Sequence, residues 1–280
     1  MDKILVPFDF STPSKNAFRF AVDIASKTGA EIILLYVFYI SPMNETMYLK
    51  GLGSNLDYDF IQEIRDSIMK DLDTFLGNEA NTNVKTKIVS TNGKIVNTIL
   101  EKIKELNIDL VIMGKSGIDG IDEFFFGSIT KKTIRKSTVP VMAIQKPTEV
   151  TKIKHILLPS NLEKGQENFI THLKGIQELF NAKLHLLLIN TPMHFQPETE
   201  AWKELKEFAK HHQLTNYESH FTSHWTEEKG ILEFQKSNKT DMIAMSTHGR
   251  TGFSHAFYGS ITEDIVSQSG CPIWTYCLNE

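Results

Sequence analysis

Cysteine is nearly missing: two residues in 280, too few for the disulfide framework of a small secreted domain. Cys271 and Cys277 stand in the run CPIWTYC. On one extended strand they would share a face yet lie roughly 20 Å apart, so they cannot bridge each other. Reduced, buried thiols are expected. No apolar run approaches the 18 or so residues of a membrane span, and the opening MDKILVPFDF lacks the layout of a signal peptide. These absences predict a cytoplasmic protein without a membrane partner. A basic excess is missing too: 30 Lys and Arg face 34 Asp and Glu, for a net charge of −4. That leaves no electrostatic footprint for nucleic acid.

Three enzyme signatures are also absent. Gly93-Lys94 is followed by Ile95 and lacks the earlier glycine of G-x4-G-K-[ST]. Gly114-Lys115-Ser116-Gly117 is one residue short of a G-x-S-x-G elbow. Asp9-Phe10-Ser11 stands after the first strand, where G-x-G-x-x-G would open a dinucleotide fold. A fast phosphotransferase or hydrolase is therefore not expected.

What is present is a repeat. The apolar run Leu110–Met113 ends in Gly114, then Gly117 and Gly120, and Gly127-Ser128-Ile129-Thr130 opens a helical pattern. The passage recurs 132 positions on: Gly249 matches Gly117, Gly252 matches Gly120, and Gly259-Ser260-Ile261-Thr262 matches the helix start. Ser246 replaces Gly114. A buried strand feeding a glycine-rich turn that ends at a helix N-terminus is an anion site, because orphan N–H groups and the helix dipole converge there.

Both halves share one order of elements. Lys3–Phe8 reads as a buried strand, Thr12 as N-cap with Pro13 behind it, and Ala17 to Ala25 as a helix face stopped by Gly29. Strands follow at Glu31–Phe38, Val84–Ser90, Asp109–Met113 and Val139–Ile144, with helices over 57–76, 94–106 and 128–137 and a loop over 39–55. Residues 146–153 read as a linker without a core pattern. The second half repeats the scheme from Lys154–Pro159, with strands over 183–189, 216–222, 241–246 and 272–277 and helices over 164–180, 198–212, 226–237 and 260–269. Strands alternating with helices imply right-handed crossovers and a parallel sheet covered on both faces. The fold class is α/β, with two tandem domains over 1–147 and 153–280. In the strand order 3-2-1-4-5, strands one and four adjoin where the order reverses, and ligands bind beyond the carboxyl ends at such a point. Asp9 and Gly114 meet there.

ILVPFDFS with Ala17 and Ala21, LLYV closing strand two, and Gly-x2-Gly-x9-Gly-Ser together resemble the nucleotide-binding branch of the universal stress protein family. The resemblance spans both halves. It implies two five-stranded units of order 3-2-1-4-5, paired through their last strands as a pseudo-two-fold dimer within one chain. It implies a stress-response regulator that binds ATP or AMP, with or without Mg2+. Asp9 would contact the nucleoside, the Val37 backbone the adenine edge, and Gly114, Gly117, Gly127, Ser128 and Ile129 the phosphates, with Thr130 close by. Pro7, Phe10, Ser11 and Met113 complete the candidate set. In the second half the candidates are Asn161, Gly249, Arg250, Gly259, Ser260, Ile261 and Thr262. There Asn161 lacks the Asp9 carboxylate and Ser246 crowds a turn that wants close backbone approach, so the first site is ranked as intact and the second as degenerate or differently specialised.

Other readings of the same residues stand beside these. Asp9 serves equally as a helix-entry cap, and Gly114 and Gly117 as plain turn glycines. The chain could be an interaction module that has lost its ligand, contacting an unidentified protein or a second copy of itself. It could also be a slow Mg2+-dependent ATPase. All ten histidines lie after residue 150; His220, His224 and His248 could meet at one crevice mouth, but no quartet has zinc-ligand spacing.

Overall fold

The computed structural model describes residues 1–38, 55–79, 84–115, 126–163, 165–248 and 256–278. The first half runs β1 (Lys3–Phe8), α1 (Thr12–Thr28), β2 (Glu31–Phe38), α2 (Asn55–Asn78), β3 (Thr86–Asn92), α3 (Ile95–Glu105), β4 (Leu110–Gly114), α4 (Phe126–Lys136) and β5 (Val141–Ile144). After a 3-10 turn over Val150–Lys152 come β6 (His155–Pro159), α5 (Glu167–Phe180), β7 (Lys183–Asn190), α6 (Glu198–His211), β8 (Tyr217–Ser223), α7 (Glu227–Ser237), β9 (Met242–His248), α8 (Ala256–Gln268) and β10 (Ile273–Leu278).

The ten strands form one sheet in the order β3-β2-β1-β4-β5-β10-β9-β6-β7-β8. Each half has the 3-2-1-4-5 arrangement, and every pairing inside a half is parallel. The seam between halves is the antiparallel pair β5–β10, with Trp274 opposite Met142 and the Thr275 hydroxyl donating to the Val141 carbonyl. One face packs Phe18, Phe20, Phe169 and Phe180 beneath α1 and α5 in a core continuous across both halves. The opposite face packs Ile99, Ile134, Ile231 and Ile265 beneath α3, α4, α7 and α8. Strands covered on both faces explain the unbroken apolar runs.

Local chemistry sets the element ends. Ser11, not Thr12, is the N-cap of α1: its backbone is extended and its Oγ accepts from the Ser14 N–H at 3.3 Å. Gly29 ends α1 at φ 75°, donating its N–H to the Ala25 carbonyl. Several expected bounds shift by one to four residues, the largest where α5 starts late and α8 starts early. Cys271 precedes β10, so only Cys277 lies within it; neither forms a disulfide. The expected linker is also different, since Val150 and Ile153 are fully buried and the Val150 N–H donates to Asp23 of α1. The expected loop over 39–55 lies outside the described residues except for Asn55, which opens α2. No helix among the described residues is long and apolar enough to cross a membrane.

Candidate functional site

The crevice of the first half opens where β1 and β4 part. Their ladder runs through Ile4–Leu110 and Leu5–Val111, and Pro7, lacking an N–H, stands two residues beyond. Asp9 follows the end of β1. Its Oδ1 accepts from the Ser11 N–H at 3.0 Å and the Ser11 hydroxyl at 2.6 Å, folding the strand exit into an Asx turn. Among the described residues Oδ2 has no hydrogen-bond partner. Phe10, between them, is held at φ 66°, a left-handed conformation that strains a bulky side chain. Its ring packs on Phe8 and Tyr36.

Gly114 ends β4 directly beneath the first turn of α1. A Cβ there would lie 2.6 Å from the Pro13 carbonyl carbon and 2.7 Å from the Ser14 nitrogen. The close approach at this glycine is thus by the chain's own backbone. Ser14 ties the two loci together, because its Oγ also receives the Asp9 N–H at 3.5 Å. Thr130, fully buried on α4, donates its hydroxyl to the Gly114 carbonyl at 2.9 Å. The N-terminal part of α4 is thereby fastened to the strand end. Val37 is half-buried against the core and Met113 is buried. Gly117 lies outside the described residues. Gly127 and Ser128 fall in the first turn of α4, ahead of the half-buried Ile129.

Tyr36 is a neighbour that sequence reasoning missed. Burial first, then the carboxylates of Asp9 and Asp71, raise its phenol above the usual range. Its place beside Asp9 follows from β2 running next to β1, with Tyr36 opposite Phe8, which a strand-by-strand reading does not reveal. Lys115 was missed as well. One residue past Gly114, its ammonium turns away under α8 and donates to the carbonyls of Val266 and Ser269.

The second half keeps the outline with different chemistry. Asn161 takes the Asp9 position and accepts from the Glu163 N–H at 3.3 Å and from Gln166 Nε2 at 3.1 Å. Leu162 repeats the left-handed turn at φ 59°. Helix α5 starts at Glu167, later than its counterpart, and Ser246 lines an open cavity of about 360 Å³ with Asn161 and Ile261. The same cavity is lined by Glu163, Glu204 and Glu227. Thr262 is buried, yet its hydroxyl has no partner among the described residues, unlike that of Thr130. Gly249 and Arg250 lie outside the described residues; Gly259 and Ser260 fall in the first turns of α8.

His220 and His224 turn to different partners, and the His248 side chain lies outside what the structure describes. His224 Nε2 faces Glu233 at 3.2 Å, whereas His220 joins His185 of the adjacent strand. Burial, then His220 and His155, push the His185 imidazole down to about 4.

The universal stress protein family model matches residues 1–145 and again 152–276. The chain is 30% identical over 148 residues to universal stress protein YxiE of Bacillus subtilis, covering 51% of this chain and 99% of that one. It is 22% identical over 303 residues to universal stress protein Slr1230 of Synechocystis, covering 99% of this chain and 100% of the relative. Its fold is similar to the crystal structure of a universal stress protein from Archaeoglobus fulgidus, with a TM-score of 0.74 at 18% identity over 100% of this chain and 97% of that one. A doubled strand order, a doubled crevice and a doubled family match lead to one conclusion: the chain belongs to the universal stress protein family, as a tandem of two such units.

Proposed function

We infer that the first half, residues 1–147, binds an adenine nucleotide, ATP or AMP, and that the chain is a cytoplasmic regulator whose second half, 153–280, is differently specialised. One observation carries this: Asp9 and Gly114 both bear on Ser14, while Thr130 fastens the start of α4 to the Gly114 carbonyl. These contacts support a reading in which the second Asp9 oxygen and the N-terminal region of α4 serve one ligand. Oδ2 of Asp9 accepts from a ribose hydroxyl, and the Val37 backbone meets the adenine. The phosphates rest on the turn from Gly114 through Gly117 to Gly127, Ser128 and Ile129, where the helix dipole favours negative charge. Mg2+ enters only with ATP, on the phosphates.

The carboxylates of Glu163, Glu204 and Glu227 around the second cavity favour another reading for that half. At close range they repel a polyphosphate, so this crevice serves a neutral or cationic ligand or a protein contact. Mass spectrometry of small molecules released from gently denatured protein, with calorimetry against ATP and AMP, tests the assignment. Adenine nucleotide in the released fraction, or saturable heat at one site per chain, supports it. Neither signal from a folded chain refutes it.

A further inference from the structure

Three imidazoles stand in a row on the sheet face covered by α7, away from both crevices. His155 is on β6, His185 on β7 and His220 on β8. His155 Nδ1 lies 2.9 Å from His185 Nε2, and His185 Nδ1 lies 2.9 Å from His220 Nε2. Strand register builds the row: His185 pairs directly with Glu218, and His220, two residues on, points to the same side as Glu218. One donor atom from each of His185, Glu218 and His220 lies within 4.8 Å of the other two.

We propose that His185, Glu218 and His220 hold one divalent first-row transition-metal ion, with zinc as the fitting ion. Two imidazole nitrogens and a carboxylate oxygen form a zinc donor set that leaves a fourth position for water. Donors about 2.1 Å from a tetrahedral ion stand about 3.4 Å apart, so the His185–His220 pair opens by roughly half an ångström to admit it.

The surroundings fit a ligand set. A metal-bound histidine needs its other N–H engaged, which fixes the tautomer. His155 Nδ1 is placed to accept that proton from His185 Nε2, turning the His185 Nδ1 lone pair toward His220 and Glu218. Phe234 of α7 packs its ring against His220, with centroids 4.8 Å apart, and limits that imidazole's freedom. Strand β8 ends the sheet order and Glu218 is exposed, so an ion can enter from solvent. Lys183 Nζ, 2.6 Å from Glu218 Oε2, is the competing cation. This site is independent of the nucleotide assignment.

The test is titration of the chelator-stripped full chain with Zn2+ by calorimetry and with Co2+ by visible absorption. One ion per chain is expected, with the ligand-field bands of a four-coordinate site. His220→Gln and Glu218→Gln each weaken binding at least tenfold without altering the circular dichroism. Lys183→Met tightens it. His155→Phe weakens it by about 10- to 100-fold, and His155→Gln, which keeps an acceptor, restores it. Absence of saturable binding by the folded chain overturns the proposal. So does binding that is unchanged in both His220→Gln and Glu218→Gln, since the ion would then sit elsewhere.

Discussion

The ammonium of Lys115 lies 2.5 Å from the Ser269 carbonyl oxygen, so a residue next to the first half's crevice caps the end of a helix in the second. It also donates to Val266 at 3.0 Å. Both carbonyls belong to the C-terminal end of α8, where a cation is favoured. Burial works the other way and pushes the ammonium down to about 8, against a smaller opposing effect from Cys271.

A pH dependence follows with a definite sign. The folded-state pKa lies below the unfolded value of 10.5, so between about pH 8 and 10.5 the unfolded chain binds more protons. The stability that this residue contributes therefore rises across that window, by at most roughly 3 kcal/mol. Urea midpoints of the wild type, referenced to Lys115→Met, are expected to climb from pH 8 to 10. A flat difference would remove Lys115 as the titrating group.

Gly114→Ala is expected to destabilise the first half by about 1–3 kcal/mol, because the added methyl meets the backbone of Pro13 and Ser14. Ser246→Gly, at the matching place beside an open cavity, should change stability by less than about 1 kcal/mol. Thermal denaturation of the two variants decides the matter. Equal losses would mean that the α1 approach does not set the glycine requirement.

Asp9→Asn separates charge from structure. An amide oxygen still accepts from Ser11, as Asn161 accepts from Glu163 in the other half, so folding should survive. Loss of a charged acceptor is worth about 1.5–3 kcal/mol, which is at least a tenfold drop in nucleotide affinity by calorimetry. Unaltered affinity would return Asp9 to the role of turn former.

The segment between the halves is part of the core. Ile153→Ala should cost about 2–5 kcal/mol, since Ile153 is fully buried. Exposed Lys152→Ala should fall within about 0.5 kcal/mol. Were this stretch a mere tether, the two variants would have the same denaturation midpoint.

The doubled unit, its strand order and the convergence of Asp9 with Gly114 were legible because they rest on periodicity and on repeated local motifs. Val150 and Ile153 were not, because two apolar residues among Lys, Thr and Glu carry no period. Lys115 was opaque for a related reason: its partners sit more than 150 positions away, across the seam. The histidine row needs the register of three strands at once, and sequence offers only their order. Gly114 stood out in the sequence as a strand-end glycine, but the neighbour that presses on it, α1, did not. The second crevice escaped because its acidic lining, Glu163, Glu204 and Glu227, is gathered from one loop and two helices.

The antiparallel seam of β5 with β10 has a genetic consequence. In a symmetric homodimer each substitution appears twice, so neither crevice can change without the other. Covalent fusion frees the copies: Asp9 and Gly114 can persist in one while Asn161 and Ser246 arise in the other, always present in a fixed one-to-one ratio. Drift in one copy leaves its twin untouched, so a single polypeptide can carry two crevices of unlike lining.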